Sequence, residues 1–260
     1  MSYFIVNTAV ANVYHEAAHN SAVVTQALLG ESCRILDNWD DWYLIRQWDG
    51  YEGWIYHFYG VERNTRYKPN MYLQDLFGRI IAPDKKRMER QLLFGSSVKA
   101  QTKHGGYQLI LPDGRRGFSH NNFSAAIQKP TRKKIIKTAE QFIGTPYIWG
   151  GKTPYGIDCS GLVQTVFKAH GIDLPRDAHQ QEKNLSKNII SMAEIKSGDL
   201  LFFSENDRVT HVAISTGGAD FINARGYVKC ESIAEKSPRF SRKLHDIFLH
   251  AVSIKNLLKK

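Results

Sequence analysis

The feature that most constrains this chain is an internal repeat confined to its first half. The stretch from Tyr43 to Trp54 recurs from Tyr107 to Phe118, an offset of 64 residues. Asp49-Gly50 aligns with Asp113-Gly114, and Gly53 with Gly117. Leu28-Leu29-Gly30-Glu31 recurs more loosely as Leu93-Phe94-Gly95-Ser96. Short runs rich in β-branched and aromatic residues lie around these landmarks, at 32–36, 42–46 and 53–56. Asp-Asn, Asp-Asp and Asp-Gly pairs separate them, the pattern of strands joined by tight turns. Each unit of roughly 60 residues fits a small β-barrel. The spacing therefore predicts two barrels, over 1–64 and 65–128.

The composition then shifts. From Thr131 to Gly144, Ile135, Ala139, Phe142 and Ile143 fall on one helical face, with Thr131 as N-cap and Gly144 as stop. A loop holding Tyr147, Trp149, Gly150 and Gly151 follows Pro146. Cys159 to His170 reads as a second helix, with Leu162, Val163, Val166 and Phe167 inward and Gly171 closing it. Beyond Gly198 the pattern is strand-like: 199–203, 210–215, 220–223, 227–231 and a last apolar run over 245–254. Helices followed by an antiparallel sheet make an α+β domain over 129–260.

Charge excludes some functions. The chain carries 35 Lys and Arg against 25 Asp and Glu, a formal charge of +10. The excess is spread over short clusters, 85–87, 132–134 and 259–260, with no long basic stripe interleaved with aromatics. No nucleic-acid partner is expected. No apolar run approaches the ~20 residues that span a bilayer, so no membrane partner is expected. The first eight residues lack a positive n-region and the apolar stretch breaks at Asn7, so no signal peptide is read. With Met1 as the natural start, the expected location is cytoplasmic. Three cysteines do not make a disulfide framework. There is no Cys-x-x-Cys and no His-Glu-x-x-His, so neither metal nor other cofactor is expected.

Cys159 is the candidate nucleophile. It sits where a loop becomes a helix, in Ile157-Asp158-Cys159-Ser160-Gly161. The helix macrodipole and unpaired N–H groups favour a thiolate there, and small neighbours let a carbonyl approach. Position alone leaves a buried structural cysteine as the commoner alternative, so the partners decide. His211 opens a predicted strand, and Asn223 lies in the next one. With a hairpin turn through Gly217-Gly218, the two face each other across adjacent strands. An Asn there can hold the imidazole through its side-chain oxygen. Cys33 and Cys230 read as packing residues, and so does Trp149. Arg176 reads as an ion-pair anchor, and Asp199 as a turn residue.

These residues carry a family resemblance. Thr145-Pro-Tyr-Ile-Trp-Gly-Gly-Lys, Gly156-Ile-Asp-Cys-Ser-Gly-Leu-Val, Leu174-Pro-Arg-Asp-Ala, Ser197-Gly-Asp-Leu-Leu-Phe-Phe and Thr210-His-Val-Ala-Ile occur in that order. As a set they resemble the NlpC/P60 cysteine peptidases, papain-like thiol hydrolases of bacterial cell-wall peptides. The repeated Asp-Gly turn followed by Gly-aromatic resembles bacterial SH3-like (SH3b) domains. The implied fold class is an α+β papain-like NlpC/P60 catalytic domain preceded by two small all-β SH3-like barrels. By resemblance, Cys159 is the nucleophile, His211 the base and Asn223 the third member, where many relatives carry His. The domain combination is similar to γ-D-glutamyl-L-diamino-acid endopeptidases of the dipeptidyl-peptidase VI type. The implied partner is a muropeptide, L-Ala-γ-D-Glu-diamino acid, with Tyr147, Asp158, Ser160, Glu16 and Tyr51 as its binding residues. Glu16, Asp158 and Tyr51 would receive the free ammonium of L-Ala. Arg115 stands at the position matching Tyr51 in the second repeat, so only the first copy can serve.

Overall fold

The computed structural model describes residues 1–83, 87–125 and 130–259. The expected boundary at 128/129 and Lys85, Lys86 and Lys260 lie outside them. The chain divides into two compact units, 1–126 and 127–260.

The first unit is built from the repeat. Strands β1 (Tyr3–Val6), β2 (Val10–Tyr14), β3 (Val23–Leu28), β4 (Ser32–Trp39), β5 (Trp42–Arg46), β6 (Glu52–Tyr56) and β7 (Gly60–Arg63) form one sheet in the order β3-β2-β6-β5-β4-β1-β7. Strands β8 (Met71–Leu73), β9 (Phe77–Ile81), β10 (Met88–Leu93), β11 (Ser97–Lys103), β12 (Gly106–Ile110), β13 (Arg116–Ser119) and β14 (Phe123–Ser124) form a second. Its order, β10-β9-β13-β12-β11-β8-β14, is the first topology over again. The equivalence extends to single rungs. Tyr43 opposes Ile55 and Ile45 opposes Gly53 in the first sheet, as Tyr107 opposes Ser119 and Leu109 opposes Gly117 in the second.

The repeated glycine has a steric cause. A Cβ on Gly53 would lie 2.6 Å from Val13 Cγ1 and 2.9 Å from the Tyr14 carbonyl oxygen. A Cβ on Gly117 would lie 2.2 Å from Ile80 Cγ2. In each barrel the strand after the Asp-Gly turn presses against the β2-type strand, and only glycine fits.

Each barrel has its own core. The first gathers Phe4, Val6, Val13, Cys33, Ile45 and Ile55, all essentially inaccessible. The second gathers Leu73, Ile80, Leu92, Val98 and Leu109, and it also takes in Leu29 from the first repeat. The Leu29 carbonyl accepts from Ser97 N–H at 2.9 Å, and Asn7 Nδ2 donates to Asp113 Oδ2 at 2.8 Å. The loosely repeated Leu-Leu-Gly segment is thus where the barrels join. Each fully buried Leu, Ile or Phe contributes about 1.5–3 kcal/mol.

The second unit holds α1 (Arg132–Gln141), β15 (Lys152–Thr153), β16 (Gly156–Ile157), α2 (Cys159–Lys168), α3 (Ala178–Leu185) and β17 (Ile189–Ile190). After these come β18 (Leu200–Glu205), β19 (Arg208–Gly217), β20 (Asp220–Arg225), β21 (Tyr227–Ser232), α4 (Arg242–Asp246) and β22 (Phe248–Val252). The main sheet has the order β17-β22-β18-β19-β20-β21. Leu201, Phe203, Ala213 and Phe221 pack with Ile195, Ile233 and Leu244 in one cluster.

Thr131 caps α1 as expected, its hydroxyl accepting from Lys134 N–H at 3.3 Å. Ile135, Ala139 and Phe142 are buried, but Ile143 is exposed, because the helix ends at Gln141 and the chain has turned by then. Helix α2 is buried on every side from Cys159 to Phe167, not along one face. Asp199 does more than fix a turn. It accepts from Lys196 N–H, Ile254 N–H and the Arg132 guanidinium at 2.7–2.9 Å, tying helix, turn and C-terminal segment together. Trp149 does not pack; it is 70% exposed. Cys230 is half-buried in β21, whereas Cys33 is buried in the first barrel, and all three cysteines are free thiols.

Candidate active site

The short hairpin β15–β16 delivers Asp158 to the start of α2, where it is the N-cap. Its Oδ1 accepts from Gly161 N–H at 2.7 Å, which fixes the first turn of the helix under Cys159. A Cβ on Gly161 would lie 2.2 Å from the Gly151 carbonyl oxygen, so the residue two after the thiol must be glycine for the loop to close over the helix.

Asp158 is fully engaged within the protein. Oδ2 accepts from Gly150 N–H at 2.9 Å. Arg176, only 2% exposed, grips both oxygens at 3.0 and 2.5 Å and also donates to Ser160 Oγ at 3.0 Å. Ser160 Oγ donates to Asp158 Oδ1 at 3.3 Å. A carboxylate has about four lone-pair directions, and five donors already converge here. Gln181, from α3, donates to the carbonyls of Ser160 and Pro175 at 3.0 and 2.9 Å.

Cys159 is buried, with backbone N–H groups of Ser160 and Val212 directed at its sulfur. Burial, and then the Asp158 charge, push the thiol up to about 11, against those two N–H groups and Arg176. Desolvation and the adjacent carboxylate oppose the thiolate that the helix terminus favours. Tyr147, from the loop before β15, is pushed up to about 12 by burial and by the charges at Cys159 and Asp158. Its hydroxyl stays protonated and neutral at ordinary pH.

His211 lies on β19, next to the Val212 that faces the sulfur. Its Nε2 is 3.0 Å from Asn223 Oδ1 on β20. The predicted meeting of these side chains occurs in a shifted register. The strands pair Ile214 with Ile222 and Ser215 with Phe221, and the ladder is irregular between Ser215 and Gly217. In the register of Ile214–Ile222 and Ser215–Phe221, 211 falls two residues away from facing 223, so the contact is diagonal. Burial lowers the imidazole to about 4, against the raising effect of the Asn223 hydrogen bond. Phe203 packs against the ring at 5.5 Å between centroids. With Nε2 engaged by Asn223, Nδ1 is the nitrogen left to take a proton. Asn223 Nδ2 in turn donates to Glu231 Oε2 at 3.0 Å.

Glu16 and Tyr51 lie in the other unit. The antiparallel rung Tyr14–Trp54 carries both to one end of the first barrel. Glu16 is exposed, its N–H bonded to Ser21 Oγ at 3.0 Å, and Tyr51 is half-buried, with its N–H on Asp49 Oδ1 at 3.0 Å. Arg115, the counterpart of Tyr51, is committed to Asp113 at 2.8 Å.

Glu231 and the extent of the Arg176 contacts were not singled out from sequence. For Arg176 the signal was the Leu-Pro-Arg-Asp run after α2, and a buried cation there requires a buried acid. Glu231 has no local signature; only strand pairing brings it to Asn223.

A thiol at a helix start, an imidazole on an adjoining strand and an amide oxygen holding that imidazole define a papain-like thiol hydrolase. The comparisons agree. The NlpC/P60 family profile matches residues 144–245, and the profile described as "Bacterial dipeptidyl-peptidase Sh3 domain" matches residues 13–57. The chain carries an NlpC/P60 cysteine peptidase domain behind a bacterial SH3 domain. It is 28% identical over 234 residues to a γ-D-glutamyl-L-lysine dipeptidyl-peptidase of Bacillus cereus, covering 77% of this chain and 66% of that protein, just under two thirds. It is 28% identical over 227 residues to the Bacillus subtilis protein of the same name, covering 79% of this chain and 73% of that one. A crystal structure of an NlpC/P60 family protein from Bacillus cereus shares the fold, with a TM-score of 0.83 at 21% identity over 97% of this chain and 99% of that one.

Proposed function

We propose that the enzyme hydrolyses the bond between γ-D-glutamate and the L-diamino acid of muropeptides that carry a free N-terminal L-Ala, as a step in recycling cell-wall peptides in the cytoplasm. The observation that carries this reading is the joining, in one chain, of a thiol hydrolase site to a barrel matching dipeptidyl-peptidase Sh3 domains. The names of the two Bacillus relatives support the bond cleaved.

Cys159 and His211 begin neutral. As the sulfur attacks the γ-carbonyl carbon, His211 Nδ1 takes the thiol proton, so charge appears only as the new bond forms. The oxyanion receives the Cys159 N–H at the helix terminus and the Tyr147 hydroxyl. His211 returns the proton to the departing amine of the diamino acid. Water, deprotonated by the same nitrogen, then adds to the thioester; L-Ala-D-Glu leaves and the thiol is restored. A subsite that receives the L-Ala ammonium discriminates against peptides lacking that charge.

The test compares L-Ala-γ-D-Glu-diaminopimelate with its N-acetylated form. The free peptide is cleaved, and the acetylated one at least about 100-fold more slowly in kcat/KM. Equal rates would remove the free-amine requirement, and activity on intact sacculi would favour a wall endopeptidase instead.

A further inference from the structure

Asn223 is fully buried, and its amide touches an imidazole on one side and a carboxylate on the other. Those neighbours are unequal. An ionised carboxylate can only accept, so the amide NH2 must face Glu231 and the amide oxygen must face His211. An oxygen facing Nε2 requires the proton on Nε2, which leaves Nδ1 bare. Reversing the amide would put NH2 against Nε2, force the proton onto Nδ1 and remove the base. Glu231 is itself held. Its side chain is 12% exposed, and Arg225 and Lys229 both lie 3.6 Å from Oε1, while Oε2 is the atom Asn223 uses.

We infer that Glu231 is a positioning residue whose carboxylate fixes the direction of the Asn223 amide and thereby the His211 tautomer able to deprotonate Cys159. The inference rests on the proposed reading in which His211 is the base. It assigns the two cations a role as well. They claim Oε1, so the other oxygen is always presented to Asn223.

Glu231→Gln makes the chemistry explicit. The cations draw the new amide oxygen to themselves, so the new NH2 faces Asn223. Two donors then meet, Asn223 turns over, and the His211 proton moves to Nδ1. Glu231→Ala removes the direction without reversing it, and Glu231→Asp keeps it. A residue needed only for packing predicts the opposite ranking, since Gln fills the Glu volume and Ala does not.

The experiment uses the full chain with 15N-labelled histidine, reading the His211 ring nitrogens by long-range proton–nitrogen correlation beside steady-state kinetics. Wild type and Glu231→Asp show the Nε2–H tautomer, Glu231→Ala a mixture and Glu231→Gln Nδ1–H. The activity order is Asp above Ala above Gln, with kcat lowered at least about tenfold in the Gln variant and KM unchanged. The Ala variant carries the same test should the Gln chain fail to fold. An Nε2–H tautomer in the Ala or Gln variant, or a Gln variant more active than Ala, overturns the inference. If wild type fails to cleave the muropeptide, the proposed reaction is lost, and the tautomers still decide the role of Glu231.

Discussion

Replacing Arg176 by Met isolates the buried charge pair beneath the nucleophile. The guanidinium is 1% exposed and the Asp158 carboxylate 8%, with contacts at 2.5 and 3.0 Å. Removing one partner of such a pair strands the other in a low-dielectric site and costs about 3–5 kcal/mol. At about 2–4 °C per kcal/mol, the calorimetric midpoint of the catalytic unit falls by roughly 10 °C. The thiol is affected in parallel, because Arg176 opposes the Asp158 charge that raises Cys159. The single variant therefore alkylates more slowly at a given alkaline pH. Adding Asp158→Asn removes the stranded charge while keeping a good N-cap. The double variant recovers most of the stability, short by about 1–3 kcal/mol for Gly150 N–H, which then faces an amide NH2. The assay is calorimetry of the three variants with iodoacetamide rates at Cys159. A single variant within about 1 kcal/mol of wild type, or a double variant less stable than the single, would refute the reasoning.

Other outcomes follow from the same geometry. Peptide-resolved alkylation of free enzyme should show Cys159 reactivity still climbing above pH 9, toward the thiol value of about 11; a plateau by pH 7 would mean a preformed ion pair. Stability should form a plateau between about pH 6.5 and 9. His211 is depressed from 6.5 to about 4, so its stabilisation is present above 6.5 and lost as pH falls through that window; Cys159 is raised from 9 to about 11, so its share is present below 9 and lost on going higher. Urea unfolding of wild type and His211→Phe at pH 4.5, 7 and 10 checks the acid limb, which should flatten in the variant. Gly53→Ala and Gly117→Ala should each cost about 1–3 kcal/mol by forcing the same strand pair apart; a loss in one barrel only would break the structural equivalence.

Much of the fold was legible because a repeat is a statement about topology. Two copies of one pattern produced two sheets of one strand order, matched at single rungs such as Ile45–Gly53 and Leu109–Gly117. Cys159, His211 and Asn223 were legible because helix starts and hairpin strands leave local marks. What was not legible depends on partners distant in sequence. The strands pair two residues away from the register in which 211 faces 223, and the His211–Asn223 hydrogen bond forms across the diagonal. The helix terminus favours a thiolate locally, whereas burial and the Asp158 charge oppose it. Trp149 has the composition of a core residue, yet Gly150, at φ +77°, turns the loop at that point and leaves the indole exposed.

The central claim is that Cys159 attacks the γ-carbonyl of D-Glu and carries an acyl group between two proton transfers by His211. Intact mass measurement on enzyme mixed with L-Ala-γ-D-Glu-diaminopimelate and quenched in acid tests it most directly. The account predicts a single adduct, the tripeptide less its diamino acid, mapping to Cys159 and absent from Cys159→Ala. Turnover that persists in Cys159→Ala, or an adduct that maps to another residue, would contradict it.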